Sequence, residues 1–404
     1  MKTTTGGDTG PITEDRLVFY KDLREARRRQ ISRRRQRIIA LIAVCIVALL
    51  LFVNWDNFVP PEATEAIQNF FTNSSASHFP IDLPSGDFKG AAAMGSNLGV
   101  LTDTSFFLYS SAGTQLVWRQ HGMNDPQISA AGGRALLYDR GGKQYRVERR
   151  FDEPVSANAA SPIVSGTMGA TGNFALATES NAYLGELIVY DAQGKSIFHW
   201  YDTAGRILTA ALSPDGSSVA AIEIGAQNGG ISSTVEVFRL DNTKPIAKRQ
   251  VDGTLLFSIQ YNSNGRITAV GDNQALYFDG SGKQTGSYSY GTRQLACYSN
   301  QDGSTVLVFN HYENQAAASL LVPLVAGDKL LSAKSVNINS QIDSVYAGSS
   351  GITGLSSGMI WRGDQNGSPL ATVAATGDKL AAVMQNNVCF VFGSQNIFRY
   401  PLKK

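Results

Sequence analysis

The sequence predicts an all-β protein: a seven- or eight-bladed β-propeller, with eight blades favoured, preceded by one N-terminal transmembrane α-helix. Three observations predict it. Residues 38–55 are apolar, a strand-and-turn unit recurs along the rest of the chain, and the composition favours turns. The chain has 404 residues, of which 40 are glycine and only 17% are charged. This composition is typical of many short strands joined by tight turns.

Residues 38–55 have the length and composition of a membrane-spanning helix. The stretch from Ile38 to Val53 contains no charge, glycine or proline, and Trp55 follows where an interfacial aromatic residue is typical. At about 1.5 Å per residue the segment would span about 27 Å, close to the hydrocarbon thickness of a bilayer. A cleaved signal peptide would have a shorter basic region before it, and a core helix is rarely apolar on every side. We therefore expect an uncleaved membrane anchor.

Positive charge is concentrated directly before this segment. Residues 21–37 carry nine cations and two carboxylates, whereas the chain from residue 38 onward has a net charge of −4. The cations nearest the anchor, which we expect to act as the topology signal, are Arg33, Arg34, Arg35 and Arg37. The positive-inside rule predicts a cytoplasmic tail at residues 1–37, a linker at 56–78 and an extracytoplasmic propeller at 79–404, on the cell membrane. The lipid bilayer is thus an expected partner, and the mildly acidic large domain argues against binding of nucleic acid.

The large domain repeats a unit of four strands and two glycine turns. The first turn reads Ser213-Pro-Asp-Gly216, Asn262-Ser-Asn-Gly265 and Asn300-Gln-Asp-Gly303, and its glycine supplies the positive φ that ends the turn. The second turn, as in Tyr190-Asp-Ala-Gln-Gly-Lys195, falls near residues 113, 142, 194, 242, 282, 327, 367 and 395. A mean spacing of about 40 residues with four strands per unit is typical of a propeller. The shorter spacings at both ends indicate shared or incomplete blades; a pair of β-sandwiches would not explain the recurring turn.

These motifs resemble known propeller repeats. The Tyr-Asp-x-x-Gly-Lys turn running on to Trp200 resembles the quinoprotein-type repeat, and residues 213–216 resemble the repeat of other bacterial propellers. The order of basic tail, apolar segment, linker and propeller resembles a family of bacterial single-pass membrane-anchored β-propeller proteins of unknown function. The resemblance implies blade geometry and supplies no active site. We expect Trp118 and Trp200 to dock one blade against the next.

The sequence contains no recognisable catalytic set, and we expect neither a cofactor nor enzymatic activity. Quinoprotein dehydrogenases have adjacent cysteines, whereas the three cysteines here are scattered, and the four histidines lack metal-ligand spacing. The recurring Asp139, Asp191 and Asp279 are expected to hydrogen-bond the backbone of their own turns. Cys297 and Cys389 are interpreted as small buried residues, with a disulfide between them left open.

Function is expected where the chain does not repeat. The irregular segments are residues 119–125, 146–160, 179–184, 225–232 and 310–317. Two of them mix aromatic or apolar with polar groups, as recognition loops do, and they provide the candidate residues His121, Asn124, His311, Tyr312 and Glu313. The charged run at 146–153 is interpreted as a solvated face because its charges cancel.

We therefore favour a membrane-tethered, extracytoplasmic binding or scaffold module for a protein partner or a cell-envelope component. The alternative is a hydrolase or lyase that acts on an envelope glycan, with a site in the propeller channel built from carboxylates of different blades. A third hypothesis is a sensor whose basic tail reports ligand binding across the membrane.

Overall fold

The computed structural model describes residues 79–401, apart from residues 84–85, 152, 302, 314–315, 327–330, 349–350, 376 and 386–387. All 33 elements within these residues are β-strands. The described part of the chain accordingly offers no helix with the length and apolar character needed to cross a membrane. The predicted tail, anchor and linker, with Ile38, Val53, Trp55 and the four arginines, lie outside the described residues and stay predictions.

The strands form eight sheets, each of which is one blade. The chain begins with β1 (Ile81–Asp82), and blade one then contains β2 (Phe88–Met94), β3 (Asn97–Thr102), β4 (Ser105–Ser110) and β5 (Gln115–Gln120). Blade two contains β6 (Pro126–Ala131), β7 (Arg134–Asp139), β8 (Gln144–Glu148) and β9 (Val155–Asn158). Blade three contains β10 (Ile163–Met168), β11 (Phe174–Thr178), β12 (Gly185–Tyr190) and β13 (Ser196–Asp202). Blade four contains β14 (Arg206–Leu212), β15 (Ser218–Gln227), β16 (Gly230–Arg239) and β17 (Ala247–Asp252).

The second half of the ring follows the same plan. Blade five contains β18 (Leu256–Tyr261), β19 (Ile267–Gly271), β20 (Gln274–Phe278) and β21 (Gln284–Ser289). Blade six contains β22 (Cys297–Gln301), β23 (Ser304–Glu313), β24 (Ala316–Ala326), β25 (Leu331–Ala333) and β26 (Val336–Ile338). Blade seven contains β27 (Ser344–Gly348), β28 (Gly351–Leu355), β29 (Met359–Gly363) and β30 (Pro369–Ala374). Blade eight contains β31 (Ala381–Gln385), β32 (Val388–Phe392) and β33 (Asn396–Pro401).

Blade eight closes the ring with a strand from the other end of the propeller. Ile81 and Asp82 of β1 pair antiparallel with Ile397 and Asn396 of β33, so that β1 is its outermost strand. The innermost strand of each blade contacts that of the next blade, and β31 contacts β2. The prediction of an all-β propeller with eight blades is confirmed. The expected sharing of a blade is also found at this closure.

The hydrophobic core consists of layers between neighbouring blades. Eight clusters of buried apolar residues fill the eight interfaces, from blades one and two round to blades eight and one. Between blades three and four, for example, Leu187 and Phe198 pack against Val219 and Phe238. Small residues in the second strands, such as Ala175, lie in the same layers and let the sheets approach closely, since sheet packing distance depends on side-chain size.

Two of the eight turns that were predicted to be second turns lie at a different position in their blades. Residues 140–143 join β7 to β8, and residues 393–395 join β32 to β33, so both connect the second and third strands of their blades. The aligned turns elsewhere, such as 191–195, connect the third and fourth strands. This difference explains the short spacings at both ends. The first turns are as predicted: Gly216, Gly265 and Gly303 all have positive φ.

Candidate binding surface

The two edges of the blades form two different faces. The turn face carries the turns between first and second strands and between third and fourth strands. The loop face carries the loops between second and third strands and the connections between blades. Hydrogen bonds align the blades: Asn173 Nδ2 donates to Gly216 O at 3.3 Å, and Gln260 Nε2 donates to Ser304 O at 3.2 Å. Each bond joins the first-turn region of one blade to that of the next, so first turns share one face.

Four of the five irregular segments reach the loop face. Residues 119–125 include the connection from β5 to β6, and residues 179–184 form the loop from β11 to β12. Residues 225–232 and 310–317 lie at the tips of two long hairpins, β15–β16 and β23–β24. The repeated turns therefore build one face, and the chain varies mainly at the other. Variation on one face of a rigid scaffold is typical of a binding surface.

The candidate recognition residues lie on the loop face but not in one site. His121 Nε2 lies 3.0 Å from Thr102 O, and its backbone N–H donates to Thr104 O, so His121 braces its own loop. Burial lowers the pKa of His121 below its ordinary value. Asn124 is exposed beside it, whereas Tyr312 is 81% exposed on the hairpin of blade six, which also carries His311 and Glu313. Since blade six is not a neighbour of blades one and two, the two groups are separate surfaces.

The larger cavity opens on the loop face between blades three and four. It has a volume of about 530 Å³, a size that accepts one or two large side chains. Its lining combines an apolar interior with a charged rim: Val164, Thr178, Glu179, Ser180, Tyr183, Leu184, Arg206, Ile207, Leu208 and Ile224. Tyr183 and Leu184 are 42% and 50% exposed, an unusual state for two adjacent large apolar residues.

Tyr183 belongs to a row of three tilted rings in contact with one another. Its ring centroid lies 4.6 Å from that of Tyr201, which lies 4.4 Å from the His199 ring. His199 Nε2 contacts the Glu186 carboxylate, and Thr178 Oγ1 donates to Glu186 at 3.4 Å. Contacts with neighbouring rings restrict an exposed tyrosine before binding, so few rotatable bonds remain to be frozen when a partner binds. The rim of the cavity is therefore preorganised.

A second cavity of about 520 Å³ opens on the loop face between blades five and six. Only two large apolar residues are among those that line it: Phe257, Asp272, Asn273, Gly291, Thr292, Arg293, Gln294 and Leu295. Arg293 is held by its Nε–H, which donates to Tyr290 O at 3.0 Å, and by the Phe309 ring 4.9 Å away. This cavity presents less apolar surface than the first one.

Three buried carboxylates gather where blade three meets blade four. Asp202 ends β13, and Glu223 and Glu236 lie on adjacent strands of blade four, with Lys248 at 3.5 Å from Glu223 and in contact with Glu236. Burial, and then the charge of Asp202, raise the pKa of Glu223 to about 6, and burial raises that of Glu236. None of these residues lines the neighbouring cavity. Among the described residues, no group of His, Cys, Asp and Glu is arranged to hold a metal ion.

The charged run at 146–153 is not the solvated face that the sequence indicated. Glu148 is fully buried and accepts from Arg119 Nη1 at 2.7 Å and from Arg146 Nε at 2.6 Å. Arg119 comes from blade one, so the carboxylate joins two blades. The interpretation was wrong because a balance of positive and negative charges along a segment does not show which side chains pair with residues of a neighbouring blade.

Two expectations about single residues are also corrected. Trp118 is exposed and donates from Nε1 to Ser105 of its own blade, whereas Trp200 does dock on the next blade, 4.7 Å from Phe238. Asp139 accepts from the backbone N–H groups of Asn124 and Asp125 rather than from its own turn, because its turn occupies the other position in the blade.

The other turn aspartates and the cysteines behave as expected. Asp191 Oδ1 accepts from the N–H groups of Gln193 and Lys195, and Asp279 Oδ1 from those of Ser281 and Lys283. Cys297 and Cys389 are free thiols in different blades, and burial raises the pKa of each to about 12. These thiols are therefore protonated packing groups at neutral pH.

The chain belongs to a family of β-propeller proteins whose function is not known. Residues 80–358 match the model of the "Family of unknown function (DUF5711)". No curated protein matches the chain. The family thus defines the class of protein without assigning it an activity.

Solved structures resemble the chain only distantly. The mitotic checkpoint complex crystal structure contains a chain with 9% identity and a TM-score of 0.48, over 82% of this chain and 93% of that one. The Cps50 (Swd1) propeller domain of Myceliophteria thermophila has 8% identity and a TM-score of 0.49, over 73% and 99%. BamB from Moraxella catarrhalis has 11% identity and a TM-score of 0.49, over 81% and 98%.

Proposed function

We propose that the protein is a membrane-tethered binding module whose propeller lies outside the cytoplasm and docks a protein partner on its loop face. The observation that carries this proposal is the apolar cavity between blades three and four, rimmed by the exposed Tyr183 and Leu184. Protein interfaces centre on large side chains that fill such pockets, within a polar rim. A partner would insert an apolar side chain against Ile207 and pair polar groups with Glu179 and Arg206.

The tether in this proposal is supported by the sequence. Residues 38–55 are uncharged and long enough to cross a bilayer, and the cations lie directly before them. The predicted linker is short, at residues 56–78, so the tether would keep the propeller close to the membrane. A tethered propeller meets an envelope partner at a raised effective concentration, which favours weak but specific contacts.

A protein is a better match to the cavity than an envelope polymer. The cavity interior contains Val164, Ile207, Leu208 and Ile224, and these side chains offer no hydrogen bond to a hydroxyl-rich chain. A carbohydrate would leave its hydroxyl groups unpaired there, at a cost that apolar protein side chains do not incur. The exposed Tyr312 and the loop of His121 and Asn124 would provide further contacts elsewhere on the same face.

Crosslinking in intact cells tests the partner and its location together. A photoreactive amino acid at position 183 of the full chain should give a discrete protein adduct, identified by mass spectrometry. Leu184→Arg should abolish this adduct because it places a charge at the rim of the cavity. Leu370→Arg is the matched control, since Leu370 is equally exposed but lies on the outer strand of blade seven. An adduct only with carbohydrate, or one that survives Leu184→Arg, contradicts the proposal.

Cleavage of an envelope glycan is the second candidate, and one observation favours it. Glu223 is a buried carboxyl whose pKa of about 6 suits a general acid, and Asp202 and Glu236 lie beside it. Two features weigh against it: Lys248 already pairs with two of the acids, and none of the three lines the cavity. Release of reducing ends from purified envelope glycan by the full chain, lost in Glu223→Gln, would favour this candidate over the binding module.

A further inference from the structure

The tethered end of the propeller lies at the turn face. Phe79 and Ile81 approach Gly113, which belongs to the turn between the third and fourth strands of blade one. From there β1 runs toward the loop face, where the Leu83 N–H donates to Gln395 O. Pro401, at the other end of the described chain, pairs with Val388 directly after the first turn of blade eight. The described chain therefore begins on the turn-face side of the propeller, opposite the cavity.

The turn face carries a run of exposed apolar residues, each beside a cation. Phe151 follows Arg150 in blade two, Ile197 lies two residues after Lys195 in blade three, and Ile246 lies two residues after Lys244 in blade four. The three apolar side chains are 55%, 43% and 47% exposed. We name the six residues the basal arc: Arg150, Phe151, Lys195, Ile197, Lys244 and Ile246.

The three turns of the basal arc belong to consecutive blades that contact each other. The Arg149 side chain of blade two donates to Ala192 O in the turn of blade three, at 2.5 Å. Trp200 of blade three packs on Phe238 of blade four. The Arg150 guanidinium lies 4.6 Å from the centre of the Phe151 ring, which keeps cation and apolar group together.

The turns also carry exposed cations that can meet an anionic surface. The carboxylates in their sequence are Asp152, Glu153, Asp191 and Asp241, which equal in number the cations Arg149, Arg150, Lys195 and Lys244. Asp191 is occupied by backbone N–H groups of its turn, and Asp241 pairs with Arg239 at 3.5 Å. Lys195 and Lys244 are exposed at the turn tips. Apolar side chains that enter the headgroup region, flanked by cations that meet anionic lipid, are the elements of interfacial membrane binding.

We infer that the basal arc rests on the anionic surface of the bilayer to which the protein is tethered. The inference rests on the proposed tether, which brings the turn face to the membrane. Contact through the basal arc orients the propeller, so that the loop face and its cavity point away from the lipid toward the partner. The proposed tether then holds the propeller at the membrane, and the basal arc determines its orientation.

Fluorescence quenching in nanodiscs tests this orientation with the full chain. A genetically encoded fluorescent amino acid is placed at position 246 in the basal arc or at position 380, since Leu380 is similarly exposed but lies on the loop-face side of blade eight. The nanodiscs contain acyl-brominated lipids, either phosphatidylcholine alone or a mixture with phosphatidylglycerol. We expect quenching at position 246 to exceed that at 380 at least twofold in the mixture, and Lys195→Glu with Lys244→Glu to abolish the difference.

The outcomes separate the basal arc from the tether. Equal quenching at 246 and 380, or the same quenching without phosphatidylglycerol, overturns the basal arc and leaves the tether standing. If the chain does not insert into nanodiscs, the tether fails, and the same probes are then measured with phosphatidylglycerol vesicles. Quenching at 246 alone on vesicles still supports the basal arc, and no quenching there overturns it. A surface that instead binds a protein shows no quenching in this purified system and also overturns the inference.

Discussion

Glu148 joins blades one and two through a buried ion pair. Its carboxylate is fully buried between Arg119 and Arg146, whose side chains are mostly shielded from water. In Glu148→Gln both guanidinium groups keep their charge and lose their counter-ion. Leaving buried charge unpaired costs about 3 kcal/mol or more, so we expect the free energy of unfolding to fall by about that amount in a urea titration. Glu153→Gln, an exposed acid nearby, is the control, and an equal effect of both substitutions would contradict this account.

Glu223 should make the protein less stable as the pH rises through 6. Its pKa is raised from 4.5 to about 6 by burial and by Asp202, so the folded state favours the protonated form. The corresponding stability is fully present below about pH 4.5 and is lost as the pH rises through the folded pKa. Glu223→Gln mimics the protonated form. We expect it to raise the free energy of unfolding at pH 7.5 by about 1 kcal/mol, since one pKa unit corresponds to about 1.4 kcal/mol.

The free energies of unfolding of wild type and Glu223→Gln, measured at pH 5 and pH 7.5, test the direction of this pH dependence. The gain of the variant over wild type should be smaller at pH 5 than at pH 7.5, because at pH 5 folded Glu223 is still mostly protonated and only the unfolded state is largely ionised. Asp215 provides a control of opposite sign: hydrogen bonds from Ser213 and Ser217 lower its pKa to about 2. Asp215→Asn should therefore lose stability at pH 5 and pH 7.5 alike. An equal gain in stability for Glu223→Gln at both pH values would contradict a raised pKa of Glu223.

At the scale of the element, the short strand β1 closes the ring. Only two residues of β1 pair with β33, but the flanking side chains add packing: the Phe79 ring lies 5.3 Å from that of Phe390, and Ile81 packs in the same cluster. We expect Phe79→Ala with Ile81→Ala to lower the free energy of unfolding by about 3 kcal/mol, since partly buried large side chains are lost. Leu380→Ala, at an exposed site, should change it little. If β1 contributed nothing to stability, the double variant and Leu380→Ala would change the free energy of unfolding equally.

The sequence predicted elements better than sites, and the reasons are physical. Glycine turns such as the one at Gly216 recur because only glycine adopts positive φ cheaply, so local chemistry repeats with the blades. The turn at 140–143 shares that chemistry but joins different strands, so a local motif could not reveal its position. The cavity combines Val164, Tyr183, Ile207 and Ile224, which the fold brings together from separate segments. Only residues 179–184 stood out in the sequence, as one irregular stretch.

At the scale of the whole molecule, the two faces have different tasks in our proposals. The turn face varies less, receives the tethered end of the chain and carries the basal arc. The loop face varies and carries the cavity and the long hairpins of blades four and six. A rigid ring with eight packed interfaces separates the two surfaces, so a partner on one face does not compete with lipid on the other. The orientation of the propeller thus follows from the face at which the chain enters it.

The tether is the part of this arrangement that depends on the sequence alone, and it makes a direct prediction. We expect the full chain, expressed in bacterial cells, to remain in the membrane pellet after extraction with alkaline carbonate. Ile42→Arg with Ile46→Arg should release it into the soluble fraction. A cation at the centre of a membrane helix costs about 2.5–3.5 kcal/mol, and two of them exceed what the remaining apolar residues gain.

The matched control places the same charges just outside the anchor. Ala63→Arg with Ala66→Arg adds two arginines to the linker and should leave the chain in the pellet, since cations at that distance avoid the hydrocarbon. Replacement of all nine cations of residues 21–37 by glutamine, combined with these two linker arginines, should leave the chain in the membrane but invert it, because the positive-inside rule then favours the linker side. Protease added outside spheroplasts would then no longer reach the propeller. Release of the linker variant, or retention of the anchor variant, would show that residues 38–55 do not hold the protein in the membrane.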